Sequence, residues 1–157
     1  PHPEMGPRDD VLNFLTEPLA EDLTIAGAVK VLLQVSTDVD DTCFAFTLSE
    51  VEPDGKTYNM RTSIATLGYR DGLLKPRVAY KPGEKVELEI VALPVIWKVS
   101  KGNRLRIDIK SSNFPEYAVH SNYAGVWALQ GRTRVAHQNI FVGGKDGSRV
   151  ILPLLGE

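Results

Sequence analysis

Residues 103–111 read Asn103-Arg104-Leu105-Arg106-Ile107-Asp108-Ile109-Lys110-Ser111. Leu105, Ile107 and Ile109 share one parity, and Arg104, Arg106, Asp108 and Lys110 share the other. Successive side chains on a strand point to opposite faces, so this is a strand with one apolar and one charged face. Antiparallel sheet with one wet side produces that pattern. The same period recurs along the chain. Val29, Val31, Leu33 and Val35 alternate with Lys30 and Gln34. Phe44, Phe46 and Leu48 alternate with Cys43, Ala45 and Thr47. Val86, Leu88 and Ile90 alternate with Glu87 and Glu89, and Val150, Leu152 and Leu154 repeat the period near the end. Strands are expected at about 10–16, 22–26, 28–36, 42–52, 57–68, 77–80, 84–91, 94–100, 103–112, 134–142 and 148–154.

Turn residues stand between these runs. Pro53-Asp54-Gly55, Lys81-Pro82-Gly83, Gly102, Gly143-Gly144 and Asp146-Gly147 fit turns in which Pro presets φ and Gly permits a positive φ. Turns every ~8–12 residues point to an all-β sandwich and not to a βαβ fold. One stretch departs from the pattern. Residues 115–133 show no strand period, and Val126-Trp127-Ala128-Leu129 has the look of a short helical turn. A loop of that length in a compact domain is usually functional or covers something.

The whole chain, 157 residues, has the size of one domain, assigned here as a single β-sandwich over 1–157. Eighteen basic and twenty acidic residues give a net charge of -2, without the basic excess of a nucleic-acid binder. No apolar run approaches the ~18 residues of a membrane span. Cys43 is the sole cysteine, which excludes an intrachain disulfide and fixes no compartment. The chain opens Pro1-His2-Pro3, without Met or a signal-peptide pattern, and reads as a piece of something longer.

Catalytic motifs are missing. The Gly pairs with nucleophile-elbow spacing, Gly68/Gly72 and Gly143/Gly147, enclose Arg70 and Lys145 where a serine is needed. The histidines, His2, His120 and His137, form no zinc-ligand pattern, and no metal or cofactor is expected. His137 reads as a strand residue, and His120 as a solvated loop histidine or a functional contact. Asp38, Asp40 and Asp41 cluster between two strands, where turn chemistry is favoured over a calcium site lacking Gly and a distal Glu. Trp97 reads as core. Trp127, Tyr117 and Tyr123 lie in the long loop, where exposed aromatics mark a contact surface for sugar or protein.

Taken in order, the residues resemble a known family. The string runs Arg8-Asp9-Asp10-Val11-Leu12, Thr16-Glu17-Pro18-Leu19, Asp22, Val35-Ser36-Thr37-Asp38, Asp41-Thr42, Phe44 and Val51. It continues through Pro53-Asp54-Gly55, Tyr69-Arg70, Lys101-Gly102-Asn103-Arg104-Leu105-Arg106-Ile107, Ser111-Ser112-Asn113-Phe114-Pro115 and Ser148-Arg149-Val150-Ile151-Leu152-Pro153. This resembles the C-terminal domain of Xaa-Pro dipeptidyl-peptidase and cocaine-esterase-type serine hydrolases, over about residues 8–155. The resemblance implies a jelly-roll β-sandwich of the galactose-binding-like type. It implies an α/β-hydrolase domain upstream in the same polypeptide, carrying the Ser-His-Asp triad, on which the sandwich packs. There it helps wall the active site or supports a homo-oligomer. No triad residue has a counterpart here, so this chain alone is expected not to hydrolyse a substrate.

The string departs from the family after Asn113-Phe114-Pro115. Tyr117 and Asn122 fit the usual continuation, while Ala118, Val119, His120, Tyr123 and Ala124 do not. The candidate interface or substrate-cleft loop is therefore Asn113, Phe114, Tyr117, His120, Asn122, Tyr123 and Trp127. A purely structural part for residues 113–122 is the competing reading, with Asn113 capping the turn. A free-standing carbohydrate- or ligand-binding sandwich is the alternative for the whole chain.

Overall fold

The computed structural model describes residues 10–126 and 129–156. Its strands are β1 (Val11–Leu15), β2 (Leu23–Gly27), β3 (Lys30–Thr37), β4 (Cys43–Val51), β5 (Thr57–Thr66), β6 (Val86–Val91), β7 (Val95–Val99), β8 (Arg104–Lys110), β9 (Gln138–Phe141) and β10 (Arg149–Ile151). A 3-10 turn, Leu67–Tyr69, follows β5. All pairings are antiparallel.

One sheet has the order β1-β8-β4-β5. The other centres on β3, with β6 on one side and β9 and β10 sharing the opposite side. β2 and β7 form a two-stranded ribbon, joined to the last residues by an Ile25–Leu154 bridge. The chain passes from one sheet to the other again and again, which is the jelly-roll sandwich the sequence implied.

The alternating positions meet between the sheets. Val31, Leu33, Val35, Leu88 and Ile90 face Phe44, Phe46, Leu48, Leu105, Ile107 and Ile109, all buried. Fully burying a side chain such as Phe44 contributes roughly 1.5–3 kcal/mol. β4 is buried on its outer face as well. There it carries the small residues Cys43, Ala45, Thr47 and Ser49. Thr47 shares a hydroxyl contact with Thr62 at 3.3 Å, and Ser49 donates to Asn59 Oδ1 at 2.9 Å.

Two expected elements differ. Residues 77–80 form no strand. They arch back over the sandwich end, where Val78 N–H donates to Gly68 at 2.8 Å and the Tyr80 hydroxyl donates to Glu84 O at 2.6 Å. The strand expected over 134–142 begins only at Gln138, because residues 134–137 spend their groups on the β3–β4 connection. Trp97 is half-buried and not wholly core. Its ring packs on the core while Nε1 donates to Glu50 Oε2 at 2.7 Å.

Candidate functional site

Antiparallel pairing brings three connections to one end of the sandwich. Thr37 is paired with Gln138, Cys43 with Thr66, and Ala45 with Lys110. The β3–β4 connection, the arch after β5 and the long segment 111–137 therefore share that end. The acidic cluster lies at their junction.

Asp38 and Asp40 hold the long segment, and Asp41 holds the arch after β5. Asp41 is almost wholly buried. Its Oδ1 accepts from Thr42 N–H and Gly68 N–H, each at 2.9 Å, and Oδ2 pairs with the Arg77 guanidinium. Asp40 pairs with Arg134. Asp38 accepts from the His137 backbone N–H at 2.8 Å and faces its ring Nδ1 at 2.7 Å. These hydrogen bonds, led by the one from the His137 ring, hold the Asp38 carboxyl below its ordinary range. Turn chemistry is thus only part of the account. Asp41 bonds the next amide, but the carboxylates chiefly cross-link segments distant in sequence.

His120 is buried, at 6% exposure, so the solvated reading does not hold. Its Nδ1 accepts from Asn122 N–H at 3.0 Å, and its Nε2 lies 3.7 Å from Asp41 Oδ2. Burial holds the imidazole below its ordinary value; Asp41 and the Asn122 side chain oppose this, and Arg77 reinforces it. Asn122 has φ 65, the left-handed region that Asn tolerates better than most residues. Its side chain accepts from the Thr42 hydroxyl at 2.8 Å and donates to Arg134 O at 2.7 Å. Gln138 Nε2 donates to Thr42 Oγ1 at 2.7 Å and to Cys43 O at 3.1 Å. Burial pushes the Cys43 thiol up to about 11, and it donates to Ser111 O at 2.9 Å.

The remaining candidates separate into two groups. Asn113 is structural in its contacts: it accepts from Lys110, donates to Glu116 at 2.6 Å, and its carbonyl receives Tyr117 N–H at 3.1 Å. Tyr117 is half-buried and lines a groove of about 720 Å³ with β5 and the β6–β7 turn. Burial and Glu116 raise its phenol above the ordinary value. Tyr123 is half-buried too, with the guanidinium groups of Arg132 and Arg134 4.3 and 4.2 Å from its ring centroid. Phe114 alone of these projects, at 73% exposure. Trp127 lies outside the described residues.

The exposed apolar surface expected around Tyr117 and Tyr123 is made by other residues. Val119, Val126, Leu129 and Val135 are all more than half exposed and belong to the same long segment as Phe114. Sequence reading missed these aliphatics because single apolar residues in an aperiodic loop carry no signal.

Residues 5–151 match the family described as the X-Pro dipeptidyl-peptidase C-terminal non-catalytic domain. The chain belongs to that family. As an X-Pro dipeptidyl-peptidase C-terminal domain it is a non-catalytic sandwich, in keeping with a junction built of mutually engaged side chains. A cocaine esterase from Rhodococcus sp. (strain MB1 Bresler) is 33% identical over 150 residues, covering 94% of this chain and 26% of that protein. An α-amino acid ester hydrolase structure superposes with a TM-score of 0.84 at 28% identity, covering 94% of this chain and 26% of that one. An aminopeptidase from a marine sediment archaeon, Thaumarchaeota archaeon, shares the fold with a TM-score of 0.85 at 23% identity, over 95% and 26%. The domain thus spans about a quarter of the length of these relatives.

Proposed function

We propose that this domain serves a serine hydrolase acting on esters, amides or peptides with a penultimate proline. In this reading an α/β-hydrolase domain of the same polypeptide carries the triad. The sandwich packs on it through residues 113–135 and helps wall its cleft. The observation that carries the reading is the loop face. A long segment without strand partners is tied to the β3–β4 connection by Arg134–Asp40, His137–Asp38 and Asn122–Thr42, and still presents Phe114, Val119, Val126, Leu129 and Val135 outward. Ordering a loop costs conformational entropy, and an ordered apolar surface is characteristic of an interaction site. The relatives' additional length supplies a covering domain.

The carbohydrate reading loses one of its loop aromatics. The Tyr123 ring is already engaged by Arg132 and Arg134, so it offers no free platform for a sugar.

The test uses the parent polypeptide, whose coding sequence upstream of Pro1 is first read for a Gly-x-Ser-x-Gly-bearing domain. Leu129→Asp with Val135→Asp is then introduced into it. The expected result is unchanged folding of the sandwich, separate thermal transitions for the two parts, and reduced hydrolysis. An upstream region without an elbow, or a double variant that unfolds in one transition at full activity, overturns the reading.

A further inference from the structure

The Asp41–His120–Asn122 junction has a chemistry that the docking role does not require. Three segments meet at one imidazole. Asp41 comes from the β3–β4 connection, Arg77 from the arch after β5, and Asn122 from the long segment. Cys43, at the start of β4, faces the backbone of His120. Among the described residues, Asp41, Arg77 and Cys43 are titratable or charged groups that act on the ring or its backbone.

We propose that His120 is an acid-released latch, which holds residues 118–126 and 129–134 on the sandwich end while its ring is neutral and lets them go when the ring is protonated.

The argument begins with Nδ1. It accepts the Asn122 N–H at 3.0 Å, so this nitrogen carries no proton, and the neutral ring has its proton on Nε2, toward Asp41. A second proton can enter only at Nδ1. There it would place an N–H against the Asn122 N–H, turning an acceptor into a donor that faces a donor. Asn122 holds a positive φ and is tied to Thr42 and Arg134 through the same turn. Loss of its amide partner therefore strikes the residue where the segment is anchored. Burial and the Arg77 guanidinium oppose the added charge; Asp41 and Asn122 favour it, but the Asp41 carboxylate is already occupied by Arg77, Thr42 and Gly68. Release would free the stretch that carries Val119, Val126 and Leu129. The latch acts within this chain and stands whether or not the docking reading does.

The proton needed is supplied by solvent, and the switch is reversible. Titratable partners elsewhere in the junction give an internal control. His137 faces Asp38 at 2.7 Å at an exposed position.

The experiment is amide hydrogen exchange on the whole chain at pH 7.5 and pH 5.0, corrected for intrinsic rates. Wild type, His120→Gln and His137→Gln are compared. The expected result for wild type is at least a tenfold loss of protection at residues 118–134 on acidification, with β3, β4 and β8 unchanged. His137→Gln should keep this dependence, and His120→Gln should lose it. Equal protection of 118–134 at both pH values overturns the latch, as does greater protection at pH 5.0, which would mean that charged His120 binds Asp41 and tightens the junction. A wild-type dependence that persists in His120→Gln assigns the effect to another group and overturns it too. Should His120→Gln fail to fold, the ring carbon shifts of His120 in wild type decide. They must titrate together with the exchange of 118–134.

Discussion

Arg77 and Asp41, 36 residues apart in sequence, form an ion pair whose carboxylate is almost wholly buried. The same carboxylate takes the backbone amides of Thr42 and Gly68. Removing one partner of a buried pair leaves the other charge stranded, at a cost of about 3–5 kcal/mol. Asp41→Ala is expected to fall in that range by urea unfolding, whereas exposed Lys56→Ala, which breaks a surface pair with Asp54, should leave the midpoint nearly unchanged.

Gly68 is needed beside that pair for its missing side chain. A Cβ there would stand 2.5 Å from Arg77 Nε and 3.0 Å from Asp41 Oδ2. Gly68→Ala should cost about 1–3 kcal/mol. Combined with Arg77→Ala it should add far less than its cost in the wild-type background, because the space is then vacant. Additive effects in the double-mutant cycle would count against this contact.

Asn122 combines a positive φ with three side-chain and backbone anchors. Asn122→Ala loses both side-chain bonds and keeps the strained backbone, with an expected cost of about 2–3 kcal/mol. Asn122→Gly relieves the backbone and should be milder than the alanine variant. Thermal unfolding of the two variants checks the order.

Glu50 organises the far end of the sandwich. It is buried and accepts from Trp97 Nε1 at 2.7 Å and from Asn103 Nδ2 at 2.6 Å. Glu50→Ala leaves both donors without that partner and is expected to cost about 2–3 kcal/mol. In a Trp127→Phe background Trp97 is the remaining indole, so its emission should shift when Glu50 is replaced.

Stability should fall on mild acidification for a reason that can be assigned. His120 has its folded value below the ordinary 6.5, so the unfolded chain binds the proton more readily than the folded one. This contribution is complete above about pH 6.5 and declines as pH drops below it, by at most about 1.4 kcal/mol per pH unit. The carboxyls of Asp22, Asp38 and Asp54 are lowered and weaken the fold only at more acidic pH, as it falls toward and below their ordinary 3.8. Urea midpoints measured from pH 7.5 to pH 5 should slope in wild type and flatten in His120→Gln.

The strands were legible because their signal is local. The parity of Leu105, Ile107 and Ile109, and of Phe44, Phe46 and Leu48, is visible in neighbours two residues away. The turns were legible for the same reason, as at Gly55 and Gly102, both with positive φ. The junction was not. Asp40 meets Arg134 across 94 residues, and Gln138 meets Thr42 across 96. Nothing in the composition of either segment names its partner. Apolar Val78 and Tyr80 suggested a strand, but Tyr80 is buried as a hydroxyl-bearing strut between Thr37 and Glu84. His120 was read as solvated because a polar residue in an aperiodic loop usually is. Its burial follows from the way residues 111–137 return across the sandwich end.

β9 and β10 are two halves of one line along β3. Phe141 is opposite Gln34 and Arg149 opposite Leu32, so residues 142–148 face only Leu33. The Ser148 hydroxyl closes the gap, accepting the Gln34 N–H at 2.9 Å and donating to Phe141 O at 2.8 Å. The excursion is therefore a detour from a register that both flanks preserve. Lengthening such a detour is cheap, about 0.6 kcal/mol per doubling. Lys145, at its exposed tip, is a natural attachment point for a fluorophore or an inserted epitope that leaves the β3 register undisturbed.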